Sequence, residues 1–383
     1  MEDTRPDQYL YYNQLISFLD NDVTKIFNGE LIYPRQFEIH LPGGYGQPCN
    51  CNCGHCNGKL FKHDIEHWES TGLCLLHKLQ GKIPYHIYGG VYTEPTLNPY
   101  FMAYLRTTKQ YGNHFGIHTN GILLQTLESV LGFLTELHQM STDNTDYLSI
   151  SLDAGSAEGW RKTKGLKDGS GFNEALDGIR TACKIRDNSD KQSHAIRLTY
   201  LITPQSDTVE EIKYLIDFAK EVGVDSLRLS VPYDNYNKSF AELQKYHEEV
   251  ELPRDKIYYE RVSPYLSTDK AERPYIFYTD TGFIDYHQFN FTHCAYGYYQ
   301  ITYAADGYAY KCSAAAAPDT KQCRLGKITD NLYEFEQMIK LNQNENWDAQ
   351  KMCFACNARC NRMGVDINQQ WEKWKQGVDN NYD

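Results

Sequence analysis

Gln47-Pro48-Cys49-Asn50-Cys51-Asn52-Cys53-Gly54-His55-Cys56-Asn57-Gly58 puts four cysteines in one short loop. Cys49, Cys53 and Cys56 stand in C-x3-C-x2-C spacing, which lets a single loop present one thiolate to each of three irons of a cubane. The fourth iron is then left open. An open iron can bind a small molecule and pass it an electron, whereas a four-thiolate site stores or relays one. Cys51 lies outside this frame. Two rival readings exist: zinc, which favours C-x2-C paired with a second C-x2-C or with histidines, and disulfides, which belong to oxidising compartments.

Composition narrows the classes. The chain has 383 residues, long for one compact core, so a large domain with a smaller appendage is expected. A formal net charge of -12 argues against a nucleic-acid partner, which needs a dense basic face. Twelve cysteines without a cleavable apolar leader or a long apolar run point to a reduced, cytoplasmic protein with no membrane partner, using thiolates for metal. The 31 tyrosines are read as packing.

Outward from the loop, strands and helices alternate. Leu15, Leu19, Val23 and Ile26 fall near helical spacing, so residues 1–35 are expected to be a helical extension. Gln36–Leu41 alternates like a strand running into the cysteine loop. Further candidate strands are His86–Tyr88, Phe115–Thr119, Tyr147–Leu152, Ile196–Ile202 and Ser226–Val231. The clearest helix runs from Thr208 to Val222, with Ile212, Leu215, Ile216 and Ala219 on one stripe and Gly223 as the stop. Six βα units result, and such alternation implies a parallel sheet with its chemistry at the C-terminal strand ends. Residues 236–290 read as a bridging segment: a helix over Ser239–Val250, breaks at Leu252-Pro253 and Ser263-Pro264, then packed aromatics such as Tyr258, Tyr259, Phe277 and Tyr278. From Cys294 to Cys312 the chain reads as a β-hairpin turning at Asp306-Gly307, and Cys353-Phe-Ala-Cys356-Asn-Ala-Arg-Cys360 forms a second cysteine group.

The cysteine loop resembles the signature of the radical S-adenosylmethionine (SAM) superfamily, in which the open iron holds the amino and carboxylate groups of SAM. Later segments resemble the family's other motifs in order. Gly89-Gly90, followed after three residues by Glu94-Pro95, is similar to its GGEP segment, which binds the methionyl amine. His118-Thr119-Asn120-Gly121 is similar to the T-N-G segment near the adenosyl group. Ser151 and Asp153 resemble its S-x-D strand, which contacts ribose hydroxyls or the carboxylate, and Arg197 can pair with that carboxylate. Each also has a structural reading: a turn for Gly89-Gly90, a helix cap for Asp153, a satisfied hydroxyl for Ser151, a salt bridge for Arg197. The hairpin's G-x4-C spacing, Gly307 to Cys312, resembles the SPASM and twitch extensions that hold auxiliary clusters.

The resemblance implies an α/β fold: a partial (β/α)6 radical SAM barrel over 36–235 and a small SPASM/twitch-like cluster domain over 291–383. It implies a SAM-binding 4Fe-4S cluster on Cys49, Cys53 and Cys56. One auxiliary 4Fe-4S cluster is expected on Cys294, Cys312, Cys353 and Cys356, with Cys360 the alternate ligand, because the C-x2-C-x5-C-x3-C segment of two-cluster extensions is not matched. A structural zinc is the competing occupant. Reductive cleavage of SAM to a 5′-deoxyadenosyl radical, supplied by a reductant such as ferredoxin or flavodoxin, would abstract a substrate hydrogen. The expected substrate is a peptide, crosslinked, epimerised or oxidised. Dehydrogenation or epimerisation of a small molecule in natural-product biosynthesis is the second reading, and a zinc-stabilised binding protein without catalysis the third. Redox-neutral chemistry would need a hydrogen donor, for which Cys323 is the candidate, since Cys74 and Cys183 sit in apparent helices and read as packed.

Overall fold

The computed structural model describes residues 28–44, 48–56, 68–90, 93–191, 193–232, 245–269, 271–279, 294–313, 315–316 and 323–343, with 22, 25, 242, 372, 373 and 376 singly. The expected N-terminal helix and the cysteines Cys353, Cys356 and Cys360 lie outside the described residues. In chain order the elements are β1 (Gln36–Ile39), α1 (Leu73–Leu79), β2 (Tyr85–Tyr88), α2 (Phe101–Gln110), β3 (His114–Thr119), α3 (Leu124–Leu131), α4 (Phe133–Met140) and β4 (Tyr147–Ser151). Then come α5 (Ala157–Lys164), α6 (Phe172–Asp187), β5 (Ala195–Leu201), α7 (Val209–Val222), β6 (Ser226–Ser230), α8 (Leu252–Val262), β7 (Tyr275–Thr279), β8 (Gln300–Tyr303), β9 (Tyr308–Tyr310), β10 (Arg324–Lys327) and α9 (Leu332–Asn342).

All the strands among the described residues join one open sheet in the order β10-β9-β8-β1-β2-β3-β4-β5-β6-β7. Neighbours from β1 to β7 are parallel, which their helical crossovers require. The fold is thus the expected partial barrel, with one more parallel strand than the sequence suggested. Period-two alternation gives each strand two faces. Phe37, Ile39, Leu148, Ile150, Ile196, Leu198, Leu227 and Leu229 point to the helices and form the core. Between them, Gln36, Glu38, Tyr147, Ser149, Arg197, Thr199 and Arg228 face a central cavity.

Helix α7 shows how local signals place these units. Thr208 caps it, accepting a hydrogen bond from the Glu211 amide at 3.2 Å. Gly223 ends it at φ 70, a left-handed conformation that costs glycine little. Its buried stripe is Ile212, Leu215, Ile216, Phe218 and Ala219, which includes the stripe expected.

The bridging segment departs from expectation. Pro253 does not break a helix; it stands in the first turn of α8, where a missing N–H costs nothing. Tyr258 and Tyr259 belong to that helix, and Phe277 and Tyr278 to β7, so the segment completes a seventh strand beside β6. The hairpin is as expected, β8 pairing antiparallel with β9, and it joins the barrel because β8 also pairs with β1 in parallel. No helix among the described residues is long and apolar enough to cross a membrane.

Two histidines are sealed under the sheet. His86 is held by Thr108 and Asn113, His194 by Ser141, and burial pushes both to about 3. Both pKa values lie below the unfolded value near 6.5, so the unfolded chain takes up these protons first. The stability they carry is complete above about pH 6.5 and is lost as pH falls, at about 1.4 kcal/mol per pH unit for each histidine. Thermal midpoints measured by calorimetry are therefore expected to drop steadily from pH 7 to pH 5. His194→Asn should flatten that slope by about one proton, and an unchanged slope would refute the assignment.

Candidate active site

A cavity of about 470 Å³ opens at the C-terminal strand ends. Cys49, Cys53, Cys56, Gly89, Gly90, Glu94, Asn120, Ser151, Asp153 and Arg197 all line it, ten residues singled out from five separate segments. Cys51 lines it as well. The nine described cysteines are free thiols, so no disulfide ties this loop among the described residues.

Three contacts hold the cysteine loop on the barrel. The Asn52 amide donates to the Lys164 carbonyl at 2.7 Å, and the Glu94 amide to the Pro48 carbonyl at 2.9 Å. Asn120 Nδ2 donates to Asn50 Oδ1 at 2.7 Å. Gly165, at φ 63, allows the first contact, since a Cβ there would lie 2.0 Å from the Asn52 carbonyl oxygen. The Cys49 sulfur receives hydrogen bonds from the Cys51 amide at 3.4 Å and from Asn120 Nδ2 at 3.6 Å. The Cys49 thiol in turn lies 3.8 Å from Asn50 Oδ1, to which it donates. Hydrogen bonding from Cys51 draws the Cys53 thiol down to about 7, with the charge of Lys164 adding to the effect. Among the described residues no three His, Cys, Asp or Glu side chains are grouped to hold a single metal ion. A cubane makes a different demand, one thiolate per iron, and three thiols on one loop fit it.

Glu94 is buried and takes up most of its own hydrogen-bonding capacity. Oε1 accepts from the Thr96 amide at 3.2 Å, Thr96 Oγ1 at 2.6 Å and Thr119 Oγ1 at 2.7 Å. Oε2 accepts from the Asn120 amide at 2.7 Å, and this is the oxygen with room for another donor. Burial raises its pKa despite these bonds. Beside it, Gly89 sits at φ 89, and a Cβ would lie 2.3 Å from the His118 carbonyl oxygen. Only glycine lets β2 and β3 close together here.

Ser151 and Asp153 do share a face: Ser151 Oγ donates to Asp153 Oδ2 at 2.6 Å. Sequence reasoning missed their partner. Lys164, at the end of α5, reaches Asp153 Oδ2 at 2.5 Å and the Ser151 carbonyl at 2.8 Å, while Asp153 Oδ1 accepts the Leu201 amide at 2.8 Å. Burial opposes ionisation of Asp153, but the Lys164 charge and these donors outweigh it and hold the carboxyl below its usual value. Asp153 also adopts φ 52, a left-handed conformation that aspartate and asparagine tolerate better than most residues. Nothing in Trp160-Arg-Lys-Thr-Lys164 marks the last lysine as buried; only the tertiary fold does.

The floor of the cavity was missed too. Glu38 accepts from Gln300 Nε2 at 2.8 Å and lies 2.8 Å from His40 Nε2; Tyr296 donates to Gln300 at 2.8 Å. His118 meets the Tyr147 hydroxyl at 3.0 Å, and Arg197 lies over the Tyr147 ring at 4.0 Å from its centroid. These contacts join residues up to 262 positions apart, which no local pattern records.

Cys294 and Cys312 flank the hairpin, at the turn before β8 and just past β9. Cys323 does not line the cavity. It is 1% exposed in an apolar pocket with Ala304, Tyr310, Ala315 and Ala316, against which Cys312 packs. Of the two helical cysteines, Cys183 is buried as expected, and Cys74 is exposed, contrary to expectation.

No protein-family model and no curated protein matches the chain. Among solved structures the chain is similar to Streptococcus suis SuiB bound to S-adenosylmethionine, at 14% identity and a TM-score of 0.55, covering 92% of this chain and 76% of that one. It is similar also to Streptococcus suis SuiB bound to the precursor peptide SuiA, at 14% identity and a TM-score of 0.55, covering 90% and 78%. At such identity the likeness is one of fold.

Proposed function

We propose that this chain is a radical SAM enzyme that modifies a peptide. The observation that carries the reading is the meeting of Cys49, Cys53 and Cys56 with Gly89, Gly90, Asn120, Ser151, Asp153 and Arg197 around one cavity at the strand ends. In this reading the three cysteines hold a 4Fe-4S cluster, which when bound supplies the electron that cleaves SAM to methionine and a hydrogen-abstracting 5′-deoxyadenosyl radical. The protein's own part is to bind, orient and exclude water. The backbone of Gly89-Gly90 and the free side of Glu94 Oε2 receive the methionyl ammonium. Asn120 holds the adenosyl side, and Ser151 and Arg197 the ribose or carboxylate. Asp153 acts through Lys164, keeping α5 and the cysteine loop in register.

Cys294, Cys312, Cys353 and Cys356, with Cys360 the alternate ligand, hold one auxiliary 4Fe-4S cluster in this proposal, suited to accept an electron in an oxidative outcome. The peptide substrate is supported by the fold shared with a protein solved in complex with its precursor peptide. A ferredoxin or flavodoxin supplies the reductant. The test is anaerobic purification, iron and sulfide analysis, and incubation with SAM and dithionite. About eight irons per chain with release of 5′-deoxyadenosine is expected. Stoichiometric zinc without cleavage would overturn the reading.

A further inference from the structure

Arg228 stands in the middle of β6, in register with Thr199 on β5 and Phe277 on β7. Arg197, which pairs with Ser226, is its diagonal neighbour on the same inward face, and both guanidinium groups line the cavity. Other recessed arginines hold carboxylates: Arg186 holds Asp225, Arg261 holds Asp207, and Arg324 holds Asp306. Arg228 holds none among the described residues, and its Nε is buried without a hydrogen-bond partner.

The carboxylates described around the cavity already have partners other than Arg228. Glu38 is taken by Gln300 and His40, Glu94 by Thr96, Thr119 and Asn120, and Asp153 by Lys164 and Ser151. Neighbouring His118 offers no negative charge either; burial, with the charges of Arg228 and Arg197, pushes it down to about 4. A cation facing a partly dehydrated cavity without a counter-ion is costly, and a planar guanidinium is best met by the two oxygens of a carboxylate.

We propose that the cavity floor recognises a carboxylate on the substrate, received by Arg228. This deepens the reading above and rests on it: the peptide would enter with an acidic side chain, or its own C-terminal carboxylate, pointing to the barrel floor. SAM brings a carboxylate of its own, for which Arg197 on β5 is the partner proposed above; Arg228, on β6 in register with Thr199, is a second cation left for the substrate.

Three probes separate the sources. N-acetylglutamate methylamide carries a side-chain carboxylate, N-acetylglutamine a terminal one, and N-acetylglutamine methylamide neither. Their binding to the anaerobic holoprotein with SAM present is read by NMR line broadening. One acidic probe is expected to bind about tenfold tighter than the neutral one, and which of the two names the source. Arg228→Gln should erase that preference, Arg228→Lys keep part of it, and SAM affinity should stay within about twofold. Equal binding of all three probes to the wild-type protein would overturn the proposal without any variant having to fold. So would an Arg228→Gln protein that loses SAM affinity as steeply as probe affinity, because the anion would then be SAM's own. A wild-type protein that fails to cleave SAM counts against the radical SAM reading instead, and the probe preference is measured independently of it.

Discussion

Cys53→Ala is expected to lose about four irons per chain and all SAM-dependent release of 5′-deoxyadenosine, while Cys51→Ala keeps both. The contrast matters because four cysteines crowd this loop and two frames are available. In C-x3-C-x2-C the outer ligand is Cys49; in the tighter frame it would be Cys51. The structure favours the first. Two N–H groups point at the Cys49 sulfur, from the Cys51 amide and Asn120 Nδ2, and Asn120 is fixed in turn by Asn50. The Cys51 thiol serves its neighbours instead, its pKa raised by hydrogen bonds to Cys49 and Cys53.

Iron and sulfide analysis of Cys49→Ala, Cys51→Ala and Cys53→Ala decides the frame, and spectra of the reduced proteins with and without SAM report the open iron. If Cys51→Ala empties the site and Cys49→Ala does not, the frame is wrong and Cys49 becomes a hydrogen-bonded bystander. If all three retain iron and cleavage, the loop is not the SAM site. Because Cys49, Cys53 and Cys56 are partly exposed to the cavity, truncation to alanine removes little buried apolar surface, so loss of iron would not follow from simple unfolding.

Much of this architecture could be read before the structure was seen, for a physical reason. Residues such as Ile196, Leu198 and Tyr200 alternate with Arg197 and Thr199 because one face of β5 meets helices and the other meets the cavity, so the period itself carries the fold. Apart from Arg197, which lies inside β5, the site motifs were legible because each sits at a strand end, where glycine or a short polar residue interrupts that alternation. What stayed hidden depends on pairing across the chain. Tyr275–Thr279 is apolar throughout its buried stretch, giving no alternation to separate a strand from packed aromatics. Lys164 looked like one of several basic residues ending an exposed helix, and its burial is decided by Asp153. Arg228 reads as a polar position in a strand, and only the absence of a partner around it singles it out.

The Asp153–Lys164 pair carries the largest expected effect on stability. Lys164 is 2% exposed and Asp153 1%, so neither charge can fall back on water when the other is removed. Breaking such a pair costs about 3–5 kcal/mol, roughly 5 °C or more in Tm. The two halves should not cost the same. Asp153→Asn keeps the left-handed backbone and the shape, but leaves a buried ammonium with the Ser151 carbonyl and the Trp160 ring, 5.1 Å away, as its remaining company. Lys164→Met leaves Asp153 with the Ser151 hydroxyl and the Leu201 amide, and its carboxyl can take up a proton, so the loss should be smaller. The double variant Asp153→Asn/Lys164→Met should be less damaging than the sum of the singles, since the unpaired charge is gone. Because the Lys164 carbonyl anchors Asn52, Asp153→Asn should also lower iron occupancy at the cysteine loop in step with Tm. A variant that kept its Tm and its iron but lost SAM affinity would show that Asp153 contacts SAM directly, and that the ion pair is incidental to the loop.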